Sequence, residues 1–244
     1  MQNLGGFKDW VEAGGEIDPL LRQLFDHTSS TFTYILGSNG EALIIDPVKE
    51  NIPQYLQLLA ELNLSLKMVL DTHVHADHIT GAGLLQKETG CEVGSSNESL
   101  ACCGSFIFKD QELLTFGNTS IKCLFTPGHT DDSYCFYIEN PGWLFTGDTL
   151  FIRGTGRTDF QNGSAADLYD SLHNKILTLP DQTTVFPGHD YKGMTSSSVL
   201  EEKTHNPRVL IKEKNDFVDH MNNLKLADPK MMDVAVPANL KLGL

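Results

Sequence analysis

At 244 residues, with 40% hydrophobic and 20% charged side chains, the chain has the composition of an ordinary globular protein and is long enough to bury a sizeable core. A formal net charge of -14 argues against a nucleic-acid partner, which calls for Lys and Arg clustered on one face. No apolar run approaches the ~20 residues of a membrane span, and MQNLGGFKDWVEAGG lacks the marks of a signal or transit segment, so a cytoplasmic protein is expected.

From the N-terminus, short apolar or alternating runs predict strands over 31–37 (TFTYILG), 41–46 (EALIID) and 67–71 (KMVLD). Between the last two, IPQYLQLLAELN has helical spacing, with Leu56, Leu59 and Leu62 on one face. GAGLLQKETG predicts a short helix closed by Gly90. A second series follows, with ELLTF, TSIKCLF, YCFYIE and WLFTGD as strands, AADLYDSLHNKILTL as a helix, and TTVFPGHD as a strand and turn. From about Ser196 the chain reads as helical, broken at Pro207 and Pro229. Strands in both halves with helices between them predict an α/β protein of two packed sheets with helices outside.

The stretch DTHVHADH places His73, His75, Asp77 and His78 directly after an apolar strand, where a plain turn needs only Gly, Asn or Asp. His73 and His75 lie two apart, so in extended backbone they project to the same side and can grip one ion. Asp77 and His78 follow a turn and can reach a second position. TPGH and FPGH each deliver a histidine (His129, His189) just beyond a strand and a Pro-Gly turn, and TGD adds Asp148. These are seven nitrogen and oxygen donors without a thiol, which suits zinc, iron or manganese. The cysteines (Cys91, Cys102, Cys103, Cys123, Cys135) are odd in number and lack C-x-x-C spacing, so neither a disulfide framework nor a thiolate site is expected. Any one histidine alone reads as a surface or core residue, and His27, His173, His205 and His220 take that reading.

THVHADH, TPGHT, FTGD and FPGHD together resemble the metallo-β-lactamase superfamily over about residues 20–205. The resemblance implies an αββα sandwich with a metal site along one edge, in a single domain over 1–244 with a short helical extension at about 196–244. GDTLFIRGTGR is similar to two glutathione-using branches, glyoxalase II and the persulfide dioxygenases. GRTDFQNG, HDYKGMTSSSVLEEKTHNPR and VPANLKLG resemble the second. That likeness implies one Fe(II) per chain on His73, His129 and Asp148, with His75, Asp77, His78 and His189 as an outer shell or second-metal set. It also implies glutathione persulfide and O2 as substrates, a homodimer, and Arg157, Tyr191 and Arg208 as contacts for glutathione. All donors of a dinuclear zinc thioester hydrolase are present too, so the ligand set alone leaves that alternative open.

Overall fold

In the computed structural model, which describes residues 18–227 and 231–244, the strands form two six-stranded sheets. The first runs in spatial order through β1 (Leu20–Asp26), β2 (Thr31–Ser38), β3 (Glu41–Ile45), β4 (Ser65–Leu70), β5 (Glu92–Ser96) and β6 (Phe106–Phe108). Its first two pairings are antiparallel and the remaining three parallel. The second contains β7 (Leu113–Phe116), β8 (Thr119–Phe125), β9 (Tyr134–Ile138), β10 (Trp143–Gly147), β11 (Thr184–Pro187) and β12 (Ser197–Ser198), neighbours in that order. Only β10 and β11 pair in parallel there.

Period-2 alternation sorts each strand into two cores. Phe32, Tyr34 and Leu36, with Leu43, Ile45, Cys123, Tyr134, Phe136 and Phe145, meet between the sheets. The intervening Ile35, Ala42 and Ile44 face the first sheet's helices, while Leu124, Cys135, Tyr137 and Leu144 face those of the second. Burial on both faces explains why β9 is apolar throughout, and β2, buried along its whole length, carries only small polar residues beside its apolar ones. Cys123 and Cys135 are buried, in keeping with a reading as small core residues.

The helices are α1 (Ile52–Glu61), α2 (Ala82–Thr89), α3 (Ala165–Asn174), α4 (Val199–His205), α5 (Lys214–Asn222) and α6 (Met232–Asn239). The buried face of α1 is Ile52, Tyr55 and Leu59, one residue round from the expected Leu56-Leu59-Leu62 stripe, because the Tyr55 hydroxyl turns inward to meet Thr33 and the Val48 amide. α2 ends at Gly90 in the left-handed conformation, as its sequence predicts. Ser164 caps α3 by accepting from the Asp167 amide. The predicted 165–179 helix stops at Asn174, and Ile176–Thr178 tighten into a 3-10 turn, since Pro180 bars helical geometry just before it. Four strands escape the sequence patterns: β1, β5, β6 and β12. β5, EVGSS, is small and polar yet almost wholly buried; β6 and β12 are very short. Pro229 and the N-terminal segment lie outside the described residues.

At one edge the two sheets are tied together. The Phe32 amide donates to the Gly188 carbonyl at 2.8 Å, the Tyr134 amide to Thr72 O at 2.8 Å, and the Tyr34 hydroxyl to Pro187 O at 2.6 Å. The histidine-bearing loops emerge at this edge.

Candidate metal centre

Four strand ends converge here: the loop after β4 carries His73, His75, Asp77 and His78, while β8, β10 and β11 deliver His129, Asp148 and His189. Ligand atoms of His73, His129 and Asp148 lie within 4.8 Å of one another, as do those of His75, Asp77 and His78. The structure thus brings all seven expected donors together.

Hydrogen bonds fix which imidazole nitrogen is available. The Thr72 hydroxyl donates to Asp46 Oδ2 at 3.0 Å, so its oxygen accepts from His73 Nδ1 at 3.0 Å and leaves the His73 Nε2 lone pair facing the pocket. His129 Nδ1 donates to the Arg157 carbonyl at 2.7 Å, which likewise presents Nε2, 3.5 Å from Asp148 Oδ2. Burial, followed by the neighbouring His75 and His129, holds His73 well below the usual imidazole range, so it stays neutral. Imidazoles oriented by their second ring nitrogen beside a carboxylate are what a divalent cation requires.

The other four donors are more occupied. His189 Nδ1 lies 2.6 Å from Asp148 Oδ1, and its Nε2 lies 3.0 Å from Asp77 Oδ2. With a carboxylate on each ring nitrogen, both nitrogens donate. Burial disfavours the imidazolium, but Asp148 and Asp77 outweigh it and raise His189 well above its ordinary value. Asp77 is also desolvated, yet His189 and His78 hold its carboxyl well down. Asp77 Oδ2 further accepts from Thr31 Oγ1 and His78 Nδ1, both at 2.9 Å. His75 donates through Nε2 to Asp46 Oδ1 at 3.0 Å. That leaves His75 Nδ1 and His78 Nε2 buried without a hydrogen-bond partner.

Two supporting residues carry no signature that sequence reasoning picked up. Asp46 reads only as the last residue of the predicted 41–46 strand, but it is buried, left-handed at φ 51°, and receives the Thr72 amide and hydroxyl as well as His75. Thr31, at the start of β2, touches Asp77 and comes within 3.2 Å of His189. The GTGR turn does have a legible cause. A Cβ at Gly156 would fall 2.3 Å from Asp148 O and 2.8 Å from His129 Nδ1, so only glycine lets this loop pass behind both residues.

A groove of ≈ 460 Å³ runs from the metal pocket past Phe151, Arg157, Tyr191, Lys192 and Arg208. Arg153, Arg157, Lys192 and Arg208 all line it, on a chain of net charge -14. Arg157 is held by a two-pronged pair with Asp159, at 2.6 and 2.8 Å, and by the Ala227 carbonyl. Arg208 anchors on Thr155 O and Oγ1 at 2.7 and 2.8 Å. Tyr191 is 71% exposed and lies parallel to the His189 ring. Of the histidines read as bystanders, His27, His205 and His220 are exposed, and His173 stacks on Tyr169.

The Metallo-beta-lactamase superfamily profile matches residues 28–101 and 106–189. The human protein named persulfide dioxygenase ETHE1, mitochondrial, is 46% identical over 236 residues, covering 95% of this chain and 92% of that one. This chain belongs to the metallo-β-lactamase superfamily, in its persulfide dioxygenase branch. The crystal structure of ETHE1 from Myxococcus xanthus shares its fold at a TM-score of 0.90 and 49% identity, over 92% of this chain and 100% of that one. A probable hydroxyacylglutathione hydrolase from Schizosaccharomyces pombe is less similar, at 37% identity over 73% of this chain and 70% of its own length. Like other superfamily members, the chain carries a His/Asp metal-binding site.

Proposed function

We propose that this protein is an Fe(II) persulfide dioxygenase, converting glutathione persulfide, O2 and water into glutathione, sulfite and two protons. The observation that carries the reading is near-full-length likeness to persulfide dioxygenases, where the hydrolase relative matches a shorter part. The single iron would sit on His73, His129 and Asp148, whose ligand atoms lie within 4.8 Å of one another.

When bound, Fe(II) supplies a redox change and open positions on a two-histidine, one-carboxylate face, which redox-inert zinc does not. The chain contributes orientation. Thr72 and the Arg157 carbonyl aim the His73 and His129 rings. His189 holds Asp148 Oδ1 and leaves Oδ2 directed at His129. Arg157, Tyr191 and Arg208 receive the glutathionyl carboxylates in the groove, keeping the outer sulfur over the histidines. No described helix is long and apolar enough to cross a membrane. The human relative is named as mitochondrial. We place this chain in the cytoplasm as a homodimer without a nucleic-acid partner, and its unpaired cysteines suit a reducing compartment.

The deciding experiment supplies glutathione persulfide in an oxygen electrode and S-lactoylglutathione in an anaerobic assay. Oxygen should fall only with persulfide present, with sulfite appearing in proportion and close to one iron per chain by elemental analysis. Rapid anaerobic thioester cleavage by protein holding two zincs would instead favour the hydrolase, for which His75, Asp77 and His78 offer a second set of donors. Substrate capture has its own test. Arg157→Ala should raise KM with a smaller change in kcat, because it removes a grip on the glutathionyl part of the substrate while keeping the carbonyl that holds His129. The loss of a charged hydrogen bond is worth ~1.5–3 kcal/mol, roughly tenfold to a hundredfold in kcat/KM. An unchanged KM would move the glutathione site elsewhere.

A further inference from the structure

The C-terminal stretch PANLKLG lies beyond the residues that the superfamily profile matches, yet it reaches the metal loop from behind. Asn239, the last residue of α6, is buried at 4% exposure. Its Nδ2 donates to the His75 carbonyl at 2.9 Å and to the His78 carbonyl at 2.8 Å. Its Oδ1 accepts from the Thr80 amide at 2.9 Å. One amide thus serves three backbone groups of a loop that lies outside the two sheets and meets the chain ahead of α1 at a Val48–Thr80 bridge.

The geometry points to Asn239 as a positioning residue that fixes the His75–Thr80 backbone, and through it the alignment of the metal-pocket side chains. Buried loop carbonyls must be paired, and an irregular loop bearing four donors in six residues cannot pair them within itself. Asparagine is suited because its two N–H groups and one oxygen face opposite ways from a single short side chain. The surroundings hold that amide in register. The Thr80 hydroxyl closes the loop's neck on Asp71 Oδ1 at 3.0 Å. The Gly83 amide donates to Leu242 O, and Lys49 Nζ donates to Gly243 O. Gly243 sits at φ +75°, and a Cβ there would fall 2.0 Å from Thr80 O, so a larger residue would push the tail off the loop. The Cys102 amide adds a bond to Leu240 O from the other side.

The inference rests on these loops holding a metal, and the test separates the two. Asn239→Asp keeps the oxygen that accepts from Thr80 but removes both donors to the histidine carbonyls; Asn239→Ser removes the reach without adding charge. Each is loaded with Co(II) in place of Fe(II), and the d–d absorption, the cobalt affinity by chelator competition and the melting of metal-free protein are recorded. The expected result is a folded variant with a ~10–100-fold weaker affinity, the range seen when outer supports of a metal site are lost, and an altered cobalt spectrum. In iron-loaded protein kcat should fall while KM for persulfide holds, since the groove is untouched. If every variant that folds at low temperature bound cobalt with unchanged affinity and spectrum, Asn239 would be structural only and the proposal overturned. If the unchanged chain itself bound neither metal, the reading of the site would fail instead.

Discussion

Asp148→Ala is expected to remove metal and turnover together, whereas His189→Ala should keep the metal and lose activity ~10–100-fold. The contrast follows from what each side chain faces. Asp148 supplies the one carboxylate of the inner trio, with its second oxygen directed toward His129. It also stays ionised across ordinary pH: burial pushes its carboxyl up, but the neighbouring His189, through its charge and its hydrogen bond, holds it well below the usual range. Alanine there leaves the His73 and His129 rings to hold a dication without a counter-charge. His189 acts through Asp148 and Asp77, so its loss lets those carboxylates turn and repel each other without deleting a donor from the trio. Elemental analysis after gel filtration, with oxygen uptake in parallel, distinguishes the cases. Should His189→Ala protein shed one of two bound metals stoichiometrically, its assignment outside the trio would be wrong.

Why the donors were legible from sequence, while their supports were not, has a physical basis. A ligand set demands rare residue types in tight spacing, and His73, His75, Asp77 and His78 have no structural reason to cluster so closely. The parallel arrival of His129 and His189 past Pro-Gly turns shows in the sequence because each turn must end a strand at the same edge. Asp46, Thr31 and Asn239 work through hydrogen bonds across long sequence separations, and Asp, Thr and Asn are common in turns anyway. Arg157 illustrates a middle case: its place in the groove follows from the GTGR turn, but its two-pronged pair with Asp159 depends on how that loop closes. Among the elements, β2, β3, β8 and β9 were readable from alternation between two cores. β5 was not, since its burial comes from the neighbouring β4 and β6 rather than from its own side chains.

The groove's own support gives the largest expected loss of stability. Glu202 is fully buried. Its Oε1 accepts from Arg153 Nη1 at 2.5 Å and Ser197 Oγ at 2.6 Å, and its Oε2 from the Arg153 amide at 2.9 Å and Asn206 Nδ2 at 2.8 Å. Arg153 also pairs with Glu201. Glu202→Ala would take from Arg153 the buried one of its two carboxylate partners, leaving only the half-exposed Glu201, and would remove an acceptor from Asn206 Nδ2. Breaking one side of a buried ion pair costs ~3–5 kcal/mol, and for a chain of this size that lowers Tm by roughly 10 °C or more. Replacing both partners, as in Glu202→Leu with Arg153→Met, should recover much of the loss, because the uncompensated charge goes with its partner. Activity should suffer even where the fold survives. Asn206 donates to Gly154 O at 3.0 Å and accepts from the Arg208 amide at 3.0 Å, so loosening it frees the loop that carries Arg157. Below the melting transition, KM for persulfide should rise more than kcat falls. A Glu202→Ala protein that melts within 2 °C of the unchanged chain, or loses metal before it loses substrate affinity, would show that this network supports neither the fold nor the groove as argued.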